Sequence, residues 1–321
     1  MQKIKKLIKA LKNKKRIFIQ THNYPDHDAV ASAFALHYLL KSFKIDSNII
    51  FHGDILRDSL QRMIDKLNIP ILPHYKYELN DEDTIVIVDA NKKNKNVATL
   101  KGNVVAVIDH HPGIAHEDLE FCDIRKEYGA CASIIFSYFA ELMLEPGREV
   151  ATALHTGIVF DTHQFARNAN PIDIETVAML YNVSDVNLVN SLVRNSIKLD
   201  DFRQYRYLLE KIRIKGNFAY CHFPDGCNKD LLAILADYLL SAEEIKFAVL
   251  SAQSVEGISF CVRSEIPEIP ANTAVQKLLE GTGSGGGHLD MAGGRIPDVK
   301  NFDQENIFRT GVAIANGRIK L

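Results

Sequence analysis

The chain has 321 residues, of which 46% are hydrophobic, and a chain of this length is expected to fold as two domains, because a single hydrophobic core rarely grows so large. Its 38 basic and 40 acidic residues give a net charge of -2, which argues against long nucleic acid as a partner but is compatible with a short anionic substrate. The five cysteines show no CxxC spacing and lie mostly in apolar runs, so we expect reduced thiols, no disulfide and a cytoplasmic location.

The first predicted element is a basic helix. Residues 1–16 contain eight Lys or Arg, and four apolar residues share one helical face: Ile4, Leu7, Ile8 and Leu11. Such a helix could contact a membrane or nucleic acid, but a solvated helix packed on the first strand is favoured. No segment reaches about 18 consecutive apolar residues, so we expect neither a membrane span nor a membrane partner.

From residue 16 to about residue 160, short β-rich runs alternate with helical periodicity. This alternation predicts an α/β fold with a Rossmann-like parallel sheet. The predicted strands are residues 16–20, 47–52, 84–88 and 104–108. Apolar residues at helical spacing predict a helix over residues 29–43, and Pro25 with Asp26 gives it a plausible start. The order is therefore strand, loop, helix.

A second unit is expected towards the C-terminus. Residues 183–213 are rich in charge with Leu and Val at helical spacing, and they predict a helical connection. Further on, the pattern predicts strands at 218–223, 247–252, 258–263 and 312–315, and helices at 229–240 and 273–280. We therefore predict a metal-binding domain over residues 1–185, a helical linker over 186–214, and a smaller mixed α/β substrate domain over 215–321.

Metal-ligand side chains follow the ends of the predicted strands. His22, Asp26 and Asp28 lie in the loop after the first strand, Asp89 closes the third, and further groups come from Asp109, His110, His111 and Asp161. Ligands collect at the carboxyl ends of parallel strands, so we expect these side chains to meet. Asp26 and Asp28 could also merely cap the helix that follows them.

Several carboxylates at one place favour bound cations. Two negative charges about 4 Å apart repel by roughly 4 kcal/mol at an effective dielectric constant of 20, and divalent ions remove that repulsion. Asp89, alone in the middle of the set, is the candidate to bridge two ions, a geometry suited to phosphoryl transfer. Histidine and aspartate ligands without cysteine favour two Mn²⁺ ions, with Fe²⁺, Co²⁺ or Zn²⁺ as alternatives.

These motifs resemble those of the DHH phosphoesterases. The resemblance rests on the His22-x-x-x-Asp26-x-Asp28 spacing, on Asp89, on Asp109-His110-His111, and on the segment that ends at Asp161 and Thr162. The glycine-rich run that ends at His288, together with Arg263 and Ser264, looks like the associated C-terminal DHHA1 domain. The resemblance covers nearly the whole chain and is greatest to bacterial nanoRNase/pAp phosphatases.

The resemblance implies a role for each motif residue. It implies that one ion is held by His22, Asp26 and Asp89. It implies that the second is held by Asp28, Asp89, His110 and Asp161. The catalytic group would be completed by His111, facing the substrate phosphate or steadying the site, and by Asp109, which would orient a ligand histidine. The implied substrate-binding residues are Arg263, Ser264, Gly286, Gly287 and His288. His27 and His163 stand where the family often has glycine, and both could line the site.

The implied function is a Mn²⁺-dependent phosphoesterase. A hydroxide activated by two metals would cleave short oligoribonucleotides (nanoRNA) and/or 3′-phosphoadenosine 5′-phosphate in a cleft between the domains. One alternative is a phosphodiesterase for cyclic di-AMP or a linear dinucleotide, and another is a catalytically silent nucleotide sensor. Inorganic pyrophosphatase is disfavoured, because a glycine-histidine run stands where a lysine-rich phosphate clamp is expected. The chain could also form a homodimer.

Overall fold

The structure is a computed structural model that describes residues 2–92, 94, 96–111, 118–195, 197–319 and 321. The chain forms two compact units, Met1–Ser196 and Ile197–Leu321. The boundary between them falls inside the segment predicted as a helical linker. None of the helices within the described ranges is long and apolar enough to cross a membrane.

Unit 1 is built on a six-stranded sheet. Its strands are β1 (Ile17–Gln20), β2 (Ser47–Phe51), β3 (Ile71–Pro73), β4 (Thr84–Val88), β5 (Asn103–Asp109) and β6 (Phe121–Ile124). Their order is β3-β2-β1-β4-β5-β6, and all neighbours are parallel. The predicted Rossmann-like parallel sheet is confirmed. Strands β1 and β4 are neighbours although they are not consecutive, so the strand order reverses between them, and ligands bind at the carboxyl ends beside such a reversal.

The helices of unit 1 are α1 (Lys3–Leu11), α2 (His27–Ser42), α3 (Asp58–Leu67), α4 (Cys131–Leu142), α5 (Arg148–Asp161), α6 (Pro171–Tyr181) and α7 (Val186–Arg194). Helices α2 and α5 pack closely at Gly157, where an added Cβ would lie 3.0 Å from the Cβ of Ala31 and 3.1 Å from the Cα of Asp28. This close approach brings the start of α2 next to α5, which ends at Asp161.

Helix α1 buries one face, formed by Ile4, Leu7 and Leu11. It packs mainly against β6 and α4 rather than mainly on the first strand, where the sequence analysis placed it. The reason lies in the strand order. Strand β1 is paired on both sides, whereas β6 is an edge strand, and edge strands are commonly covered by another element.

Unit 2 is a mixed α/β unit, as predicted. Its elements are α8 (Phe202–Lys211), β7 (Arg213–Lys215), β8 (Phe218–Phe223), α9 (Lys229–Leu240), β9 (Phe247–Ser254), β10 (Gly257–Ser264), α10 (Ala271–Leu278), β11 (Ser284–Gly287), β12 (Met291–Ile296) and α11 (Gln304–Ala315). The sheet order is β11-β12-β10-β9-β8-β7. Strands β8 and β9 are parallel, and the other neighbours are antiparallel.

One predicted strand of unit 2 is wrong. Residues 312–315 form the last turn of helix α11, not a strand. The buried residues Ile307, Gly311 and Ile314 recur at helical spacing. The short apolar run over residues 312–315, taken by itself, does not distinguish a strand from a helix. Gly311 lets the helix approach the ring of Phe218, since an added Cβ would lie 2.2 Å from its Cζ.

Candidate metal centre

The loop after β1 carries the first two predicted ligands. Nδ1 of His22 donates to the backbone oxygen of Asn23 at 2.9 Å, because a carbonyl can only accept. Its Nε2 then lies 3.7 Å from Oδ1 of Asp26 and 3.6 Å from Oδ2 of Asp89. Asp26 also caps α2, since its Oδ1 accepts the backbone N–H of Ala29 at 3.0 Å. Asp26 can therefore both start a helix and face a cation.

Asp28 is buried at the start of α2, and it caps a different helix. Its Oδ2 accepts the backbone N–H of Cys131 at 2.6 Å, and its Oδ1 accepts that of Ala132 at 2.8 Å. These two donors belong to the first turn of α4, where backbone N–H groups have no partner within the helix. Burial raises the pKa of Asp28 to about 6, against the opposing influence of His110. The carboxylate thus joins α2, α4 and the metal-ligand cluster.

Asp89 follows β4 directly and takes up a left-handed backbone conformation, with a φ of 56°. Aspartate tolerates this conformation better than most residues. Its buried side chain lies between three histidines. Oδ2 faces His22, while Oδ1 is 3.4 Å from Nε2 of His110 and 3.8 Å from Nδ1 of His111. Asp89 is therefore placed to contact more than one cation.

The segment after β5 contributes two adjacent histidines. Nδ1 of His110 donates to the backbone oxygen of Tyr128 at 3.1 Å, and its Nε2 lies 3.3 Å from Oδ2 of Asp161. Oδ1 of Asp109 accepts both Nδ1–H of His111 at 2.9 Å and its backbone N–H at 3.1 Å. The histidine that Asp109 orients is therefore His111, rather than His22 or His110. Both predicted ligand histidines are oriented instead by backbone carbonyls.

The predicted ligands come together in three overlapping groups, and within each group the ligand atoms lie within 4.8 Å of one another. The groups are His22–Asp26–Asp89, Asp28–His110–Asp161 and Asp89–His110–His111. All six predicted metal ligands belong to at least one group, and Asp89 belongs to two. Sequence-distant residues therefore converge at the carboxyl ends of neighbouring strands, as the motif spacing predicts.

The chemistry of this cluster fits divalent cations. Oδ1 of Asp89 and Nε2 of His110 are buried and make no hydrogen bond, so each has a lone pair or proton without a partner. Burial, followed by the negative charge of Asp28, raises the pKa values of Asp89 and Asp161 well above their usual range. Cations held by these oxygen and imidazole ligands would relieve both costs.

The two additional histidines occupy different surroundings. His27 is fully buried and stacks on Phe160, with ring centroids 3.5 Å apart and planes 5° apart. Burial lowers the pKa of His27 to about 3, so the ring is neutral at pH 7. His163 lies two residues after Asp161 and has a φ of 49°, a conformation that glycine adopts most easily.

Unit 2 contains a separate cavity of about 450 Å³. The predicted residues Arg263, Gly287 and His288 line it, and so do two cations that the sequence analysis missed, Lys229 and Arg295. Lys229 is the first residue of the predicted helix over 229–240. Its position at a helix start was the one feature of the sequence that could have pointed to a binding role for it. Arg263 also pairs with Asp237, since its Nε donates to Oδ1 of Asp237 at 2.8 Å.

The remaining two predicted substrate residues flank this cavity in sequence. The hydroxyl of Ser264 lies 3.4 Å from the backbone oxygen of Ile266 and accepts the N–H of Ile266 at 3.2 Å. Gly286 belongs to β11 and pairs with Gly293 of β12. The glycine run is therefore largely an edge strand, in which bare backbone remains accessible on one side.

The fold and the site define a class of protein in which a parallel α/β sheet carries an Asp- and His-rich metal centre and a second, mixed α/β unit follows. The model of the DHH family N-terminal domain matches residues 16–158, and the model of the DHHA1 domain matches residues 215–306. The chain therefore belongs to the DHH family and carries a DHHA1 domain. The resemblance to DHH phosphoesterases with an associated DHHA1 domain is confirmed.

Several known proteins are similar to this chain. The uncharacterized protein MJ1633 of Methanocaldococcus jannaschii is 32% identical over 91% of this chain and 60% of its own length. The cyclic-di-AMP phosphodiesterase GdpP of Geobacillus thermodenitrificans is 24% identical over 92% of this chain and 47% of its own length. A probable manganese-dependent inorganic pyrophosphatase of Enterococcus faecalis is 24% identical over 54% of this chain and 57% of its own length. The chain thus spans only part of the length of these relatives.

A solved structure shares the fold. The exopolyphosphatase-related protein from Bacteroides fragilis superposes with a TM-score of 0.80 at 21% identity, over 98% of this chain and 96% of that chain. The relatives that carry enzyme names are a phosphodiesterase and a pyrophosphatase. The prediction of a family of hydrolases that act on phosphate bonds is therefore confirmed.

Proposed function

We propose that this protein is a divalent-metal-dependent phosphoesterase that hydrolyses short oligoribonucleotides and/or 3′-phosphoadenosine 5′-phosphate. The observation that carries the proposal is the overlap of the ligand groups: Asp89 belongs both to the group with His22 and Asp26 and to a group with His110, and His110 in turn belongs to the group with Asp28 and Asp161. A carboxylate shared between two sites suits a pair of cations about 3.5–4 Å apart, which is the separation used in two-metal phosphoryl chemistry. Two bound cations would activate a water molecule and neutralise charge on the phosphate.

We assign the first cation to His22, Asp26 and Asp89, and the second to Asp28, Asp89, His110 and Asp161. The mixture of carboxylate and imidazole ligands supports Mn²⁺ first, with Fe²⁺, Co²⁺ or Zn²⁺ as alternatives. The similarity of 54% of this chain to a probable manganese-dependent inorganic pyrophosphatase supports the same choice.

His111 is the residue that we assign to the substrate phosphate. Its side chain is 32% exposed, whereas those of His22 and His110 are 13% and 12% exposed. Asp109 fixes the ring by accepting its Nδ1–H. A ring held in one orientation at the edge of the cluster can contact an anion without ordering a loose side chain. Asp109 is then a positioning residue for His111.

The cavity of unit 2 supports a nucleotide as the substrate. Lys229 supplies positive charge for a phosphate, as do Arg263 and Arg295, each of which also pairs with a carboxylate, and His288 adds a further polar group. The lining also includes the apolar side chains of Leu232, Phe260 and Met291, which suit the face of a base. Inorganic pyrophosphate offers nothing to such an apolar surface. We therefore assign substrate recognition to the DHHA1 domain and hydrolysis to the DHH domain.

A second candidate is hydrolysis of cyclic di-AMP or of a linear dinucleotide. The similarity to GdpP over 92% of this chain favours it. A catalytically silent nucleotide sensor is the third candidate, but it does not need six buried or half-buried ligands arranged for cations.

A substrate panel with purified protein separates these candidates. Initial rates would be measured on 3′-phosphoadenosine 5′-phosphate, a di- to pentaribonucleotide series, cyclic di-AMP, pyrophosphate and bis-para-nitrophenyl phosphate. We expect turnover of the first two classes, its loss in excess chelator, and better recovery with Mn²⁺ than with Mg²⁺. Preferred cleavage of cyclic di-AMP would select the second candidate, and no cleavage of any ester with Mn²⁺ would select the sensor.

A further inference from the structure

One short segment, residues 128–133, contacts two of the three side chains of the Asp28–His110–Asp161 group. The backbone oxygen of Tyr128 accepts Nδ1–H of His110 at 3.1 Å. The backbone N–H groups of Cys131 and Ala132 donate to the two oxygens of Asp28 at 2.6 and 2.8 Å. The positions of both ligands therefore depend on where this segment lies.

The same segment packs against the chain that follows the third ligand, Asp161. A Cβ added to Gly129 would lie 2.6 Å from the backbone oxygen of Asn168 and 2.9 Å from Cγ2 of Thr162. Thr162 is the next residue after Asp161. Asp28 and His110 are thus held by hydrogen bonds to residues 128–133, and the residue that follows Asp161 packs against Gly129 of the same segment.

Asp173 accepts hydrogen bonds from both ends of this segment. Its side chain is fully buried in the first turn of α6. Oδ2 accepts the backbone N–H of Gly129 at 2.9 Å and that of Asn170 at 2.8 Å, while Oδ1 accepts the hydroxyl of Ser133 at 2.6 Å. One carboxylate, 44 residues along the chain from Gly129, therefore anchors the segment to α6.

We propose that Asp173 is a positioning residue for the second cation. It acts through residues 128–133 on the group Asp28–His110–Asp161 and contacts no ion itself. The group His22–Asp26–Asp89 is built by the residues that follow β1 and β4, so it does not share this anchor. The inference rests on the metal centre of the proposed function, and it predicts that the two cation sites respond differently to one substitution.

The test is a calorimetric Mn²⁺ titration of the full-length Asp173→Ala variant. We expect one of two Mn²⁺ affinities to fall by about 10- to 100-fold, the range found when partners of metal ligands are removed. The other affinity should stay within about twofold of the wild-type value. Electron paramagnetic resonance at one Mn²⁺ per protein should show an unaltered signal from the first site.

Asp173→Asn is the conservative variant. Its amide oxygen can accept the N–H groups of Gly129 and Asn170, and its NH₂ can donate to the hydroxyl of Ser133, which is also an acceptor. We therefore expect Asn to restore the weakened affinity to within about fivefold of wild type.

Asp185→Ala is the matched control. Asp185 caps α7 and accepts the N–H of Leu188 at 3.0 Å, so it too is a helix-capping carboxylate of unit 1. Loss of this cap should leave both Mn²⁺ affinities unchanged. An effect equal to that of Asp173→Ala would overturn the proposal, because it would show a general response to lost stability.

Two further outcomes overturn the inference. One is a folded Asp173→Ala variant that binds two Mn²⁺ ions as tightly as wild type, and the other is an equal weakening of both sites. If circular dichroism shows that Asp173→Ala does not fold, Ser133→Ala removes only one of the three bonds and must still weaken the same single site. Wild-type protein that binds fewer than two Mn²⁺ ions would refute the metal centre itself.

Discussion

The bridging role of Asp89 is best tested by Asp89→Asn. Asparagine preserves the shape of the side chain and tolerates the left-handed backbone at this position, where φ is 56°. The substitution therefore removes a negative charge from two ligand groups with little disturbance of the backbone. The oxygens of Asp26 and Asp89 in one group lie within 4.8 Å, and at an effective dielectric constant of about 20 two such charges repel by about 3 kcal/mol.

The expected effect on stability has opposite signs without and with metal. Burial and the charges of Asp28 and Asp26 raise the pKa of Asp89, so the ionised form is disfavoured in the metal-free protein. A neutral Asn should then leave the free energy of unfolding unchanged or higher in excess chelator. With Mn²⁺ at about 100 times its dissociation constant, wild type should gain about 2.7 kcal/mol from each filled site. The variant should lose most of that gain.

Hydrolysis should fall with metal binding. A loss of about 4 kcal/mol of transition-state stabilisation corresponds to about three orders of magnitude in rate. Thermal unfolding with chelator and with Mn²⁺, together with initial rates on bis-para-nitrophenyl phosphate, measures both effects. Asp83→Asn is the matched control, because Asp83 is also buried and precedes β4, whereas Asp89 follows it. The control should keep the full response to Mn²⁺.

Two results would refute this reasoning. One is an Asp89→Asn variant that retains a tenth or more of the wild-type rate. The other is a variant that gains as much stability from Mn²⁺ as the wild-type protein does, since a ligand shared by two sites cannot be lost without a change in binding.

Three other substitutions test different parts of the molecule. Burial lowers the pKa of His155 to about 4. Between pH 6.5 and 4 the unfolded chain therefore takes up a proton that the folded chain does not, and the free energy of unfolding should fall by at most about 3.4 kcal/mol as the pH falls through that window. His155→Asn should flatten this pH dependence in urea denaturation, and an unchanged slope would contradict the assignment. His288→Ala should raise KM for a nucleotide more than KM for a small chromogenic ester; an equal change in both would remove His288 from nucleotide recognition. Gly157→Ala should weaken Mn²⁺ binding, because the added Cβ would displace Asp28. The higher helix propensity of alanine should offset part of the cost of overpacking in protein stability. Unchanged Mn²⁺ binding in calorimetry would mean that α2 and α5 adapt without moving Asp28.

Much of the fold was predictable because the buried strands have strong local patterns. The bounds of β4, β8 and α9 agree with the predicted ranges 84–88, 218–223 and 229–240. Strand β4 is buried along its whole length and is formed only by Thr, Ile and Val, which is typical of a central parallel strand. Strands β3 and β6, which have three and four residues, were not predicted from the sequence. Both lie at the edges of the sheet, where little burial is needed and the pattern is correspondingly weak.

The ligands of the candidate site were predictable for a related reason. Residues such as Asp89 directly follow a strand whose position is itself well predicted, and neighbouring parallel strands end at one edge of the sheet. The contacts that orient these ligands follow no such rule. Asp173 looks from its sequence position like an ordinary helix-capping residue, and its bond to Gly129 depends on how α4 and α6 pack. Long-range contacts of this kind produce no periodic pattern in the sequence, so they cannot be predicted from it.

The two ligand groups assigned to cations, His22–Asp26–Asp89 and Asp28–His110–Asp161, therefore differ in what holds their members in place. His22 and Asp89 follow adjacent strands of the sheet, so the hydrogen-bonded register of β1 and β4 sets their separation. Asp28, by contrast, already gives both carboxylate oxygens to the N-terminus of α4, where the partial positive charge of the helix end attracts it. A cation beside Asp28 must share those oxygens with two N–H donors, and its binding is coupled to the placement of a helix. We therefore expect a substitution outside the metal centre, such as Asp173→Ala, to weaken cation binding at the second group more than at the first, whose spacing is set by the sheet.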